Sequence, residues 1–186
     1  MNDLLSLAIR AAQTAGAAIE KEAAKPAQAE AKEDGSPVTR ADMQAHEIIA
    51  SALKEVDQYP VLSEEGDYKA VVREAPSAYW IVDPLDGTKE FIKRYPEYTV
   101  NIGLVRDGKP VLGVIYVPAA DRTYYADAES GAWRVSAEAQ KPVALTLPPL
   151  SAPLRAAVSR SHMSEETTAF LDRCGITERM AAGSSL

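Results

Sequence analysis

Asp83 and Asp86 are the residues of this 186-residue chain whose types and spacing most directly suggest chemistry. They lie in Trp80-Ile81-Val82-Asp83-Pro84-Leu85-Asp86-Gly87-Thr88-Lys89-Glu90-Phe91. The apolar run 79–82 predicts a strand that stops at Asp83, because Pro84 fixes φ and removes a backbone donor. Asp86-Gly87 predicts a turn, and residues 88–94 can open a helix. Two carboxylates three residues apart around a tight bend can face one point, with the carbonyls between them also available. Hard oxygens of this kind suit magnesium, which takes few protein carboxylates and keeps waters and phosphate oxygens. Free N–H groups at the start of the helix suit a phosphate, and Thr88 has a hydroxyl there to orient a water. Glu64-Glu65, after the strand candidate 60–63, offers a third carboxylate. Asp, Pro and Gly also build turns for purely structural reasons. The apolar strand before the motif, Thr88 after it and the acidic pair upstream weigh towards a site.

The elements that must position these residues follow from periodicity. Leu5, Ala8, Ala12, Ala15 and Ile19 recur at helical spacing and predict a helix over 3–24. Residues 25–37, with Pro26, Gly35 and Pro37, read as a loop. A second helix is predicted over 40–56, with Ala45, Ile48, Ile49, Ala52 and Val56 as its stripe. Thr39-x-x-Asp42 before that stripe fits a capped helix start. The runs 98–105 and 111–117 flank Asp107-Gly108, a strong hairpin signal. Further strands are expected at 123–126 and 132–135, a loop around Pro148, Pro149 and Pro153, and a third helix over 164–173 capped by Ser164. No finished element is expected after it. Two helices followed by a mostly antiparallel sheet predict an α+β layered architecture, in one domain or one and a fraction.

Composition narrows the partners. The net charge of −7 makes nucleic acid or an anionic membrane a poor bulk partner. An anionic substrate then needs cations or a local basic patch to invert the field. Cys174 is the single cysteine, so no intramolecular disulfide can form, which fits a reducing cytoplasm. Asn2 and Asp3 follow Met1 in place of a basic leader, and the first helix is too polar to span a bilayer. A cytoplasmic location is expected, with peripheral attachment to the inner membrane left open. Lys89, Lys93 and Arg94 fit a phosphate-binding rim and a solvated helix face equally well. His46 reads as structural, His162 as a surface or cap residue, and Tyr124, Tyr125 and Trp133 as sheet packing.

Residues 80–88 resemble the signature of the inositol monophosphatase superfamily. Leu62-Ser63-Glu64-Glu65 resembles its upstream metal-binding segment, and Thr39-Arg40-Ala41-Asp42 the segment that gives the motif threonine an aspartate partner. Within the superfamily, Asp86 to Arg94 and Ser159-Arg160-Ser161-His162 are similar to the 3'(2'),5'-bisphosphate nucleotidases, and the resemblance runs on to Gly183-Ser184-Ser185-Leu186. It implies a layered α/β/α fold and two or more magnesium ions held by Glu64, Asp83, Asp86 and the Leu85 carbonyl. It implies that Thr88, polarised by Asp42, and Glu64 position and activate the attacking water. Glu64, Leu85, Asp86, Gly87 and Thr88 would meet the substrate, the last two at the scissile phosphate.

The implied activity converts adenosine 3',5'-bisphosphate, a small nucleotide bisphosphate, to AMP and phosphate, recycling the by-product of sulfate activation. An inositol monophosphatase or other sugar-phosphate phosphatase is the same-class alternative, disfavoured by Lys89-Glu90-Phe91. An inactive metal- or nucleotide-binding fragment is the alternative of a different class. The family also carries a Trp-Asp-x-Ala-Ala-Gly segment whose aspartate completes the second metal site. None of Asp107, Asp121, Asp127 or Asp172 lies in such a context. The resemblance therefore makes residues 1–186 the larger N-terminal part of the domain, with weak or no activity and marginal stability alone. Oligomeric state is not legible.

Overall fold

A computed structural model describes residues 3–26, 29–32, 37–55, 59–67, 76–139, 141–147, 153–160 and 163–184. Helix α1 spans Asp3–Ala23 and α2 spans Arg40–Lys54. The predicted stripe of α1 is its buried face, with Leu5, Ala8, Ala12, Ala15 and Ile19 fully covered. Its alanines and Gly16 allow close approach to the sheet, and a Cβ at Gly16 would overlap the Tyr116 ring. On α2, Ala41, Ala45, Ile49 and Leu53 are buried. Val56, the last residue of the predicted stripe, lies outside the described residues, as do Gly35, Pro148, Pro149, Ser161, His162, Ser185 and Leu186.

Seven strands form one sheet in sequence order: β3 (Val61–Ser63), β4 (Ala78–Asp86), β5 (Thr99–Arg106), β6 (Lys109–Val117), β7 (Arg122–Asp127), β8 (Gly131–Ser136) and β9 (Val143–Ala144). The β3–β4 pair is parallel and the others are antiparallel. The predicted hairpin forms with a tighter turn than its flanks suggest: Arg106 pairs with Lys109, and only Asp107 and Gly108, both at positive φ, lie between the strands. Period-2 alternation sorts the two faces. Trp80, Val82, Val100, Ile102, Leu104, Leu112, Val114 and Tyr116 join the helices in the core. Ile81 on the opposite face is 47% exposed, against 1% for its neighbour Trp80. Ile81, Gly103, Gly113 and Ile115 line a broad cavity of about 1130 Å³ on that face. The result is an α+β layered architecture.

Three expectations are corrected. The stretch 25–37 is not all loop: β1 (Ala29–Ala31) pairs antiparallel with β2 (Pro37–Thr39), which leads directly into α2. Strand β4 does not stop at Asp83: its ladder runs on to Asp86 opposite Thr99. Three steps on β4 face two on β5, so one extra residue bulges out, and a bulge is where a sheet tolerates proline. After the helix predicted over 164–173 comes a finished strand. β10 (Arg155–Ser159) and β11 (Glu178–Ala182) pair in parallel and flank helix α4 (Glu165–Arg173), which Ser164 caps by accepting from the Thr167 N–H at 3.1 Å. The helix that follows the Asp86-Gly87 turn, α3, is short, Thr88–Ile92.

Candidate active site

Asp42 divides its two oxygens between two jobs. Oδ2 accepts from the Thr39 N–H at 2.7 Å and the Thr39 hydroxyl at 2.5 Å, closing a capping box at the start of α2. Oδ1 accepts from the Thr88 hydroxyl at 2.9 Å. The cap and the contact to Thr88, 46 residues away, therefore coexist. Asp42 is 1% exposed, and a carboxylate so buried requires such donors.

Glu64 and Asp83 meet because β3 lies beside β4: the Glu64 N–H donates to the Val82 carbonyl at 3.0 Å, one residue before Asp83. Past Asp83 the bulge turns the chain, and the Leu85 N–H donates to Asp83 Oδ1 at 3.2 Å. The Leu85 carbonyl points towards Thr88, whose hydroxyl lies 3.2 Å from it. Burial first, then the charges of Glu64 and Asp86, push the Asp83 carboxyl up to about 8, against the Leu85 N–H that lowers it. Burial and like charge together thus disfavour the ionised Asp83 carboxylate at this corner.

Partners invisible to local pattern also reach these carboxylates. The Lys32 ammonium lies 3.0 Å from Glu64 Oε1 and 2.5 Å from Glu65 Oε1. Burial pulls the Lys32 pKa down, but the two glutamates outweigh it and hold it above the ordinary value. Burial raises the Glu65 carboxyl, opposed by Lys32. The Ser184 hydroxyl donates to Asp86 Oδ2 at 2.8 Å and also lies 2.8 Å from the Thr99 hydroxyl. Asn101 Nδ2 approaches the same Asp86 oxygen at 3.4 Å. His46 Nδ1 sits 2.8 Å from the hydroxyl of Ser63, the residue before Glu64. Each contact joins residues far apart in sequence, so no spacing rule reveals it.

The β10–β11 unit is clamped to this corner. Arg160 holds Glu97 with two donors, at 3.0 and 2.5 Å, and the Gly183 N–H donates to Glu97 Oε2 at 2.8 Å. A cleft of about 480 Å³ lies here. Glu64, Asp86, Gly87, Thr88 and Lys89 line it from the sheet end, and Ser159, Gly183 and Ser184 from the β10–β11 unit. Its volume is in the range of small-ligand sites. Asp83 faces the larger cavity instead, and Glu64 borders both. Of the basic residues after the motif, Lys89 lines the cleft, whereas Arg94 donates to the Lys25 carbonyl at 3.3 Å.

Among the described residues, no three His, Cys, Asp or Glu side chains are drawn up as a finished metal cage. Lys32 engages Glu64 and Ser184 engages Asp86. The donor set still fits magnesium. Every candidate ligand is a hard oxygen, the ion needs only one or two carboxylates beside waters and phosphate oxygens, and the raised Asp83 carboxyl marks a place where a cation would be stabilised.

Fold and site together define a layered α+β protein with an acidic, oxygen-lined cleft suited to a hard cation and an anionic ligand. The chain belongs to the inositol monophosphatase family, whose sequence model matches residues 1–181. It is similar to the 3'(2'),5'-bisphosphate nucleotidase CysQ of Salmonella typhimurium, 44% identical over 98% of this chain and 74% of that protein. The Escherichia coli K12 protein of the same name is 42% identical over the same shares. Among solved structures, CysQ of Bacteroides thetaiotaomicron superposes with a TM-score of 0.82 at 38% identity, covering 97% of this chain and 73% of that one. An IMPase of Thermotoga maritima shares the fold, with a TM-score of 0.83 at 22% identity over 99% of this chain and 70% of that one.

Proposed function

We propose that this protein is a magnesium-dependent phosphomonoesterase acting on 3'(2'),5'-bisphosphate nucleotides, with adenosine 3',5'-bisphosphate as substrate and AMP and phosphate as products. The observation that carries this reading is the Asp42–Thr88 contact beside the Glu64, Asp83 and Asp86 carboxylates. The bisphosphate nucleotidases to which the chain is similar supply the substrate class. Glu64, Asp83, Asp86 and the Leu85 carbonyl would hold magnesium. When bound, the metal neutralises charge on the transferring phosphoryl group and lowers the pKa of a water.

The chain's own residues do the rest. A hydroxyl has one proton. With that proton given to Asp42, the Thr88 oxygen turns its lone pairs outward and accepts from an attacking water. Glu64 is the second acceptor for that water. Gly87 brings its backbone to the cleft without a side chain in the way of the scissile phosphate.

Because the Salmonella relative is matched over 74% of its length, the assay uses the 186 residues and the same chain extended with that relative's unmatched segment. Phosphate release is measured from adenosine 3',5'-bisphosphate and inositol 1-phosphate, with and without magnesium. Magnesium-dependent release with strong preference for the nucleotide supports the reading. Preference for the inositol phosphate sinks the substrate assignment, and no release by the extended chain sinks the activity.

A further inference from the structure

We propose that His46 is a positioning residue that fixes the Glu64-Glu65 turn and thereby tunes the magnesium site. The inference rests on the reading of Glu64 as a magnesium ligand given above. Asp42 and His46 are four residues apart on α2, so they project from one helix face on successive turns. Asp42 grips Thr88 at the start of α3. His46 grips the other half of the site, with Nδ1 2.8 Å from the Ser63 hydroxyl. One rigid helix therefore sets the spacing between the hydroxyl that orients water and the turn that carries Glu64.

The imidazole spans that turn. Ser63 begins it and is 3% exposed, and the Gly66 N–H closes it onto the Ser63 carbonyl at 3.1 Å. At the far side, a Cβ built on Gly66 would stand 3.2 Å from His46 Cε1, so the ring packs against the Gly66 backbone. Glu64 and Glu65 lie between the two contacts. β3 is only three residues long and is the edge strand of its sheet, so its own ladder gives the turn little support. Lys32 meanwhile draws both glutamates towards itself. The His46 strut opposes a shift of the turn with them.

Partners standing behind metal ligands are worth about tenfold to a hundredfold in metal affinity. The experiment is calorimetric titration of magnesium into the protein and its H46A, H46N and S63A variants, with thermal unfolding of each in the absence of metal. H46A and S63A are expected to weaken magnesium binding by up to about tenfold, the low end of the range for a direct partner of a ligand, because His46 acts through Ser63 and not on Glu64 itself. H46N, whose side-chain amide stands near the Nδ1 position but does not reach the Gly66 contact, is expected to bind magnesium more tightly than H46A, an outcome that general loss of packing does not produce. Unchanged affinity in folded H46A, or H46N as weak as H46A, overturns the proposal. Should H46A fail to fold, S63A decides, and parent-like binding by S63A overturns it. Absence of magnesium binding by the parent overturns the functional reading and this inference together. Binding by the parent that no variant alters overturns this inference alone.

Discussion

The Thr88 hydroxyl has two acceptors in reach, Asp42 Oδ1 at 2.9 Å and the Leu85 carbonyl at 3.2 Å, and one proton to give. The charged acceptor is the stronger, which keeps the Thr88 lone pairs turned to the cleft. Thr88→Ala should therefore lower kcat by about 10²–10⁴-fold and also cost about 1 kcal/mol of stability, because the buried Asp42 Oδ1 loses its donor, and Thr88→Ser should restore most of the rate. Asp42→Ala should lose the rate and also stability, by about 1–3 kcal/mol, because it strips the cap from Thr39. Equal stability loss in the Thr88→Ala and Asp42→Ala proteins would contradict the division of labour between the two Asp42 oxygens. Asp83 gives a pH prediction. Its folded pKa, about 8, lies above its unfolded value. Its contribution to the stability of the metal-free protein is then complete below the unfolded pKa and is lost as pH rises through about 8. Chemical denaturation across that range should show the loss, and Asp83→Asn should flatten it; a parent-like slope in Asp83→Asn would refute the assignment. At this scale the sequence was generous with Asp83, Asp86, Thr88 and Glu64, which share short motifs. It was silent on Lys32, Ser184 and the role of His46, whose contacts exist only once distant segments fold together.

Elements were legible where periodicity was local. The α1 and α2 stripes and the Asp107-Gly108 hairpin follow directly from residue spacing. Strands β1, β10 and β11 escaped because they are short and largely exposed, and β2 because three residues are too few to show an alternation. Pro84 misled for a physical reason: it signals the end of a ladder but is equally at home in a bulge, and here the bulge aims Asp83 and Asp86. Two glycines hold the elements around the cleft. Gly87 has φ +94°, and a Cβ there would lie 2.8 Å from the Glu97 carbonyl. A Cβ on Gly183 would stand 2.7 Å from Glu90 Cγ and 2.9 Å from Glu97 Oε2. Gly87→Ala should cost about 1–3 kcal/mol through backbone strain. Gly183→Ala should cost less stability, because flexible side chains can yield, yet it should weaken magnesium binding by displacing Ser184 from Asp86. Calorimetric unfolding and magnesium titration of the two variants check both statements, and parent-like binding by Gly183→Ala would sever the β11 unit from the site. Arg160→Ala removes a half-exposed pair with Glu97 and is expected to leave the denaturation midpoint close to the parent's, because solvent screens such a pair.

Across the whole molecule, α1 and α2 back one face of the sheet, and the acidic corner lies where α2, β3, β4 and the β10–β11 unit meet. Among the described residues no helix is long and apolar enough to cross a membrane. A net charge of −7 means that the chain as a whole repels an anionic substrate, so binding depends on inverting the sign locally. Magnesium should accordingly stabilise the folded chain, by about 2.7 kcal/mol at a hundred times its Kd, and more at pH 8 than at pH 5, where protonated Asp83 competes with it. Thermal shift at the two pH values reads this, and an equal shift at both would count against Asp83 as a ligand. The most direct test of the central claim is phosphate release from adenosine 3',5'-bisphosphate by the extended chain and its Asp83→Asn variant across a magnesium titration. The account predicts turnover that saturates with magnesium in the parent and collapses in Asp83→Asn. Turnover without magnesium, or an Asp83→Asn enzyme as active as the parent, would contradict it.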